Sequence, residues 1–241
     1  MGLFQRRPKA VLFDLFHTLV SVPRPSSVGE MSVPEILRVS ADEWQRRYYH
    51  EDVLGRCLGR VRDGVEAMRL VTHSIDPTVE EERIIAAVES RRRRFEMGLV
   101  DVDPAILMAL DRLRTEGIRT AIVSDAGADD VESWSLSPIR TRVDVTIFSY
   151  QVGYRKPDPR IYRHALADLG IPASDAIFVG DGGSDEHNGA RAVGMETVLV
   201  SRLYSIWFPE EIEARRAHAD WHFEDVPAFV DSLFNVRSAT V

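Results

Sequence analysis

The chain has very little lysine and almost no cysteine. Of its 30 basic residues, 28 are arginine, leaving only Lys9 and Lys156. Cys57 stands alone, so no internal disulfide can form, and its side chain reads as a small buried hydrophobe rather than a nucleophile. That usage fits a reducing compartment, and a cytoplasmic location is expected. No apolar run reaches the roughly 20 residues of a membrane-spanning helix. Met1 to Lys9 lacks the apolar stretch and small-residue cleavage site of a signal peptide. A formal net charge of −8 argues against nucleic acid as a bulk partner. Where arginine is the default base, a lysine inside a motif points to a site wanting a compact point charge instead of a planar fork.

What is present is an ordinary globular composition: 241 residues, 44% of them hydrophobic, enough for one large domain or for one that carries a smaller insertion. The most informative stretch is Val11-Leu12-Phe13-Asp14-Leu15-Phe16-His17-Thr18-Leu19-Val20. Ala10 to Phe13 is apolar enough for a buried parallel strand. Asp14 falls where that strand should end. A buried, unpaired carboxylate is costly, so Asp14 needs a cation or a ring of donors. The alternative is a turn or helix-capping aspartate.

A Pro/Ser/Gly stretch, Ser21 to Gly29, reads as a linker. Beyond it the pattern is helical. One helix starts at Ser32-Val33-Pro34-Glu35, with proline in its first turn. A second is expected over Val53 to Leu70 and a third over Val79 to Arg94, with Ile84, Ile85 and Val88 on one face. The run Arg91 to Arg94 reads as a solvated last turn, well placed against the helix dipole. Residues 21–100 hold 13 basic and 14 acidic side chains, so most of the net charge lies elsewhere. This region is expected to form a small helical domain of its own. Trp44, Arg47, Tyr48, Tyr49, His50 and Arg56 are its candidate substrate contacts, although an amphipathic helix face accounts for most of them.

From Asp101 the pattern alternates between helix and strand, the signature of a parallel α/β sheet. Helices are expected from Asp103-Pro104 to Glu116-Gly117 and over Pro157 to Leu169. Strands are expected over Arg119 to Ser124, Val143 to Ser149, Ala176 to Gly180 and Thr197 to Val200. The tail, Pro209 to Phe234, reads as two helices with a short strand near Trp221 to Phe223.

The chemistry-bearing residues stand just past these strands, at the edge where open α/β sheets bind ligands. Asp14 follows the first, Ser124 ends the second, and Asp181 follows Ala176 to Gly180. In Gly180-Asp181-Gly182-Gly183-Ser184-Asp185 the glycines permit a tight turn. Asp181 and Asp185, near Asp14, form a hard-oxygen cluster suited to Mg²⁺. Asp185 also suits a helix N-cap. The missing third glycine and the late position set aside a dinucleotide fingerprint. Lys156 is presented by Gly153-Tyr154-Arg155-Lys156-Pro157-Asp158-Pro159, where it would stay protonated beside carboxylates. Ser124 offers a hydroxyl, and Asp125-Ala126-Gly127 could offer backbone N–H groups to an oxyanion.

These four segments, in this order, resemble those of the haloacid dehalogenase-like hydrolases. The resemblance implies a Rossmann-like parallel core with helices on both faces, formed by residues 1–20 and 101–241, and an all-helical cap over 21–100. It implies Asp14 as the nucleophile of an aspartyl intermediate, Ser124 as the group holding the phosphoryl moiety, and Lys156 as the balancing charge. It implies Mg²⁺ held by Asp14, Asp181 and the backbone carbonyl of Phe16, with Asp185 in support. One position departs from the pattern. Most phosphatases of this kind carry a second aspartate two residues after the nucleophile, and here that residue is Phe16. The dehalogenase branch typically has an aromatic there, but it does not usually show the acidic, glycine-rich loop. The acid cluster weighs more, because it demands a cation whereas one missing acid can be compensated. The expectation is a Mg²⁺-dependent phosphatase of a small phosphorylated metabolite. The alternatives are a metal-free 2-haloacid dehalogenase and a non-catalytic metal-binding regulatory protein. His17 is either a substitute proton donor or a side chain packed under the loop.

Overall fold

Alternate residues of the first strand point to opposite sides, and both sides are covered. The computed structural model describes residues 7–51, 55–206 and 208–234. In strand β1, Ala10–Phe13, Val11 and Phe13 enter one apolar cluster while Ala10 and Leu12 enter another. Strands β2 (Arg119–Ser124), β3 (Val145–Phe148), β4 (Ala176–Gly180), β5 (Glu196–Val200) and β6 (Trp221–Phe223) complete a six-stranded sheet in the order β3-β2-β1-β4-β5-β6. Every pairing is parallel. A sheet buried on both faces explains why its strands read as unbroken apolar runs. β1 lies between β2 and β4, so the strand order reverses there, the place at which open α/β sheets bind ligands beyond the carboxyl ends of their strands.

The helices α1 (Val33–Leu37), α2 (Ala41–Gln45), α3 (Gly64–Ile75) and α4 (Glu81–Val100) stand between β1 and the rest of the sheet. α5 (Pro104–Thr115) follows, then α6 (Ser149–Val152), α7 (Pro159–Leu169), α8 (Glu186–Ala192), α9 (Arg202–Ser205), α10 (Ile212–Arg216) and α11 (Val226–Phe234). α5 and α11 cover one face of the sheet through Ile106, Leu110, Leu113 and Phe229. α7 and α8 cover the other through Ile161, Tyr162, Leu166 and Ala190. Local chemistry sets these starts. Asp103 accepts a hydrogen bond from the Ala105 amide ahead of Pro104, and Asp158 does the same for Arg160 beside Pro159.

The inserted helices have an apolar centre of their own, built from Leu37, Trp44, Tyr48, Met68, Val71 and Ile84. Two of their expected boundaries are corrected. The start expected at Val53 lies outside the described residues. Beyond it the chain makes only a short 3₁₀ turn, Arg56–Leu58, between Gly55 and Gly59, both at positive φ. The helix proper begins at Gly64, where Asp63 caps the Glu66 amide at 2.8 Å. The third helix does not end at Arg94 but runs six residues further, to Val100. The run Arg91 to Arg94 is therefore not a solvated last turn. Arg92 and Arg93 are exposed, paired with Glu132 and Glu30, while Arg91 and Arg94 are buried.

Arg91 and Arg56 instead join the insert to the core. Both bind Asp130, in the turn after β2, and both reach Asp129 at 3.0–3.2 Å. Tyr48 donates its hydroxyl to Asp129 at 3.0 Å, and its ring lies under both guanidinium groups. A cavity of about 280 Å³ lies along this seam, lined by Arg62, Met68, Arg91, Asp129 and Glu132. None of Asp14, Ser124, Lys156 and Asp181 lines it, so the convergent polar groups at the strand edge locate the chemistry better than the cavity does.

Candidate active site

Asp14 leaves β1 with its amide still bonded to Val179 of β4 at 2.9 Å, so the ladder fixes where its carboxylate points. One oxygen accepts from the Lys156 ammonium at 2.6 Å and the other from the Thr18 hydroxyl at 3.0 Å. The turn between them depends on His17, which sits at φ 62°, a left-handed conformation that non-glycine residues rarely adopt. It lets Val20 bridge back to Phe16 and brings Thr18 under the carboxylate. Strain of this kind costs on the order of 1–3 kcal/mol and persists where the surroundings over-determine it.

Lys156 is buried between two acids, with the Glu186 carboxylate also at 2.6 Å. Burial alone would discharge it, but Asp14 and Glu186 outweigh that and hold the ammonium well above its ordinary pKa. Its own backbone amide donates to Asp125 at 2.8 Å, tying the lysine loop to the loop after β2. Ser124 ends β2 with its hydroxyl fully buried and without a hydrogen-bond partner among the described residues. Two of the three amides that the sequence offered to an anion are engaged within the protein. The Ala126 N–H donates to Ser149 and the Gly127 N–H to Asp130.

Asp181 follows β4, and its carboxylate accepts from the Gly183 amide at 2.8 Å. Burial first, and then the Asp14 charge, push its pKa up. Glu186 is driven the same way by complete burial. Asp14, Asp181 and Glu186 present carboxylate oxygens that all lie within 4.8 Å of one another.

Glu186 was missed from the sequence, and Asp185 is not among the acids brought together. Ser184 and Asp185 both sit at positive φ, which turns Asp185 outward to accept from Asn188 at 2.6 Å, exposed. The chain then delivers Glu186, the first residue of α8, inward. Its carboxylate accepts from the Gly182 amide, and the Glu186 backbone carbonyl accepts from the Tyr162 hydroxyl. A side chain at Gly180 would collide with the Glu186 carboxylate. A glycine ending an otherwise bulky strand was the signal available for it.

The Phe16 ring is half-buried and meets Phe95 of α4 edge-on at 5.3 Å. His17 meets Tyr204 of α9 in the same way, and burial lowers its pKa. Of the inserted aromatic and basic residues singled out from sequence, Arg56 and Tyr48 serve the seam, and Trp44 stacks on Tyr48 inside the insert. Arg47 pairs with Glu43 within its own stretch of chain, and Tyr49 is exposed. The side chain of His50 lies outside the described residues.

A family model described as haloacid dehalogenase-like hydrolase matches residues 8–194. The chain belongs to that family. Among curated relatives, it is similar to glyceraldehyde 3-phosphate phosphatase of Pyrococcus furiosus, 29% identical over 54% of this chain and 53% of the relative. It is also similar to phosphoserine phosphatase of Thermus thermophilus, 32% identical over 44% of this chain and 41% of the relative. The chain thus spans about half or less of the length of these curated relatives. Among solved structures it is similar to L-2-haloacid dehalogenase from Xanthobacter autotrophicus with chloropropionic acid covalently bound. That match has a TM-score of 0.64 at 17% identity and covers 95% of this chain and 99% of the other. The fold is therefore shared with solved structures of a dehalogenase and of a phosphatase alike. No helix among the described residues is long and apolar enough to cross a membrane.

Proposed function

We propose that the chain is a Mg²⁺-dependent phosphatase acting on a small phosphorylated metabolite through an aspartyl-phosphate on Asp14. The observation that carries this reading is the cluster of Asp14, Asp181 and Glu186, three buried carboxylates drawn within 4.8 Å. Lys156 and Arg215 are the cations paired with them, and burial already pushes Asp181 and Glu186 toward protonation. A hard dication fits that donor set. Asp14, Asp181, Glu186 and the Phe16 carbonyl would hold it. When bound, it would supply positive charge to the phosphoryl oxygens and relieve their repulsion with Asp14.

The remaining steps belong to the chain. Lys156 and Thr18 fix the Asp14 carboxylate so that one oxygen faces the incoming phosphorus. Attack forms the aspartyl-phosphate as the alkoxide departs, and water then hydrolyses the intermediate. The unpartnered Ser124 hydroxyl donates to a phosphoryl oxygen, and Lys156 offsets charge as it develops. Residues 21–100 act as a cap that closes over this edge and excludes water.

Phe16 can neither protonate a leaving group nor activate water. Positioned acid–base catalysis is worth about 10²–10⁴-fold, so the enzyme should favour substrates whose leaving groups need no proton. His17 is a poor replacement, since burial disfavours the charged form of its ring and it packs on Tyr204. Phe16→Asp should raise hydrolysis of alkyl phosphates more than that of p-nitrophenyl phosphate, and His17→Ala should change neither selectively.

The same residue favours the second reading. Phe16, two residues from Asp14, packs on Phe95, an apolar pair that suits a 2-haloacid, whose halide leaves without a proton. Phosphate release with and without Mg²⁺, run beside halide release from 2-chloropropionate, separates the two. Mg²⁺-dependent phosphate release alone supports the phosphatase. Metal-independent halide release alone overturns it, and neither activity points to a non-catalytic metal-binding protein.

A further inference from the structure

One cation beside the acid cluster has no part in the reaction described above. Arg215, on α10, approaches the glycine loop from the carboxyl-terminal side of the chain. Its Nη1 donates to the Asp181 backbone carbonyl at 3.0 Å and lies 3.2 Å from the Asp181 carboxylate. On its far side Nη2 binds Glu211 at 3.2 Å, and the guanidinium carbon stands 3.5 Å from the centre of the Tyr204 ring. Tyr204 in turn donates its hydroxyl to Glu211 at 2.6 Å. The loop makes room for this arginine. Gly182 sits at φ 85°, and a Cβ there would lie 3.0 Å from the Cβ of Arg215. The guanidinium is thus held by a ring face, a carboxylate and a carbonyl, and Asp181 is one of the acids whose charge is least tolerated.

We propose that Arg215 is a positioning residue that sets the divalent-cation affinity of the Asp14–Asp181–Glu186 cluster. The inference rests on the Mg²⁺ reading given above. Without metal, the guanidinium compensates Asp181 and keeps its carboxylate in place. When a dication enters, the same charge opposes it, so the site binds Mg²⁺ more weakly than three carboxylates otherwise would. Glu211 and Tyr204 draw the guanidinium back and moderate that opposition.

Calorimetric titration of the purified full chain with MgCl₂ tests this directly. Arg215→Gln keeps most of the stem against Gly182 and removes the charge. Its Mg²⁺ dissociation constant should fall about tenfold, the scale of one screened unit charge facing a dication. Arg215→Lys should restore the wild-type value, and the exposed Arg216→Gln should leave it unchanged. Glu211→Gln, on the surface, should move the affinity the other way, toward weaker binding. Binding by Arg215→Gln but not by wild type would be the same effect at its extreme. Equal or weaker Mg²⁺ binding by Arg215→Gln, with wild type binding, overturns the role of Arg215 and leaves the metal reading intact. Tighter binding by Glu211→Gln overturns it independently should Arg215→Gln fail to fold. Absence of binding in wild type and variants alike overturns both.

Discussion

The seam between insert and core and the edge of the sheet both bury acids against bases, but in different proportions. At the seam, Arg56 and Arg91 face Asp129 and Asp130, and the charges balance. Burial alone would raise the Asp130 pKa; Arg56 and Arg91 overcome that and hold it at about 2. At the sheet edge, Asp14, Asp181 and Glu186 face Lys156 and Arg215, and burial leaves Asp181 and Glu186 raised. Charges that satisfy each other hold two parts of a molecule together. Charges left unsatisfied cost stability and are kept where something else is to be bound. By that contrast the seam fits a structural role and the edge fits the proposed site.

The largest effect should come from the edge. Asp14→Asn is nearly isosteric and should leave the circular dichroism spectrum intact while lowering turnover by about 10⁴-fold or more. Retention of a substantial rate would break the assignment of Asp14 as nucleophile. At the seam the effect should be on stability instead. Asp130→Ala leaves Arg56 and Arg91 facing Asp129 alone, and removing one partner of a buried pair typically costs about 3–5 kcal/mol. Urea melts of the variant and wild type measure it. A loss under 1 kcal/mol would erase the contrast.

Acid sharpens the same point. Asp130 ionises at about 2 in the folded chain and near 3.8 when unfolded. A depressed carboxyl contributes stability above its unfolded pKa and loses it as the pH falls toward the folded one. Wild type should therefore lose on the order of 2 kcal/mol between about pH 4 and pH 2 that Asp130→Ala does not lose. The smallest effect has the opposite sign. Asp181→Asn removes a charge that burial and Asp14 both disfavour, so without metal it should leave stability unchanged or raise it by about 1 kcal/mol.

The sheet was legible because burial on both faces demands apolar runs, and a carboxylate after such a run has to be explained. Asp14 and Asp181 stand out for that reason, Lys156 as one of only two lysines and Ser124 as a hydroxyl at a strand end, and the structure brings them to one edge. Glu186 did not, because the two left-handed residues that swing Asp185 out and Glu186 in leave no mark in composition. Arg91 and Arg94 were misread for a related reason. A basic run is normally solvated, and only the fold reveals that Arg91 meets Asp129 and Asp130, 38 and 39 residues on. The short turn at Arg56–Leu58 was read as helix because its flanking glycines lie in a stretch rich in helix formers.

The contrast between the clusters is tested most directly by the melting temperature in millimolar Mg²⁺. A ligand that binds only the folded chain adds about 2.7 kcal/mol at a hundred times its dissociation constant, enough to move the midpoint by several degrees. Wild type should show that rise, Asp181→Asn should lose it, and Asp130→Asn, though less stable, should keep it. A melting curve indifferent to Mg²⁺ in wild type and in Arg215→Gln alike, or a rise that survives Asp181→Asn undiminished, would contradict the account.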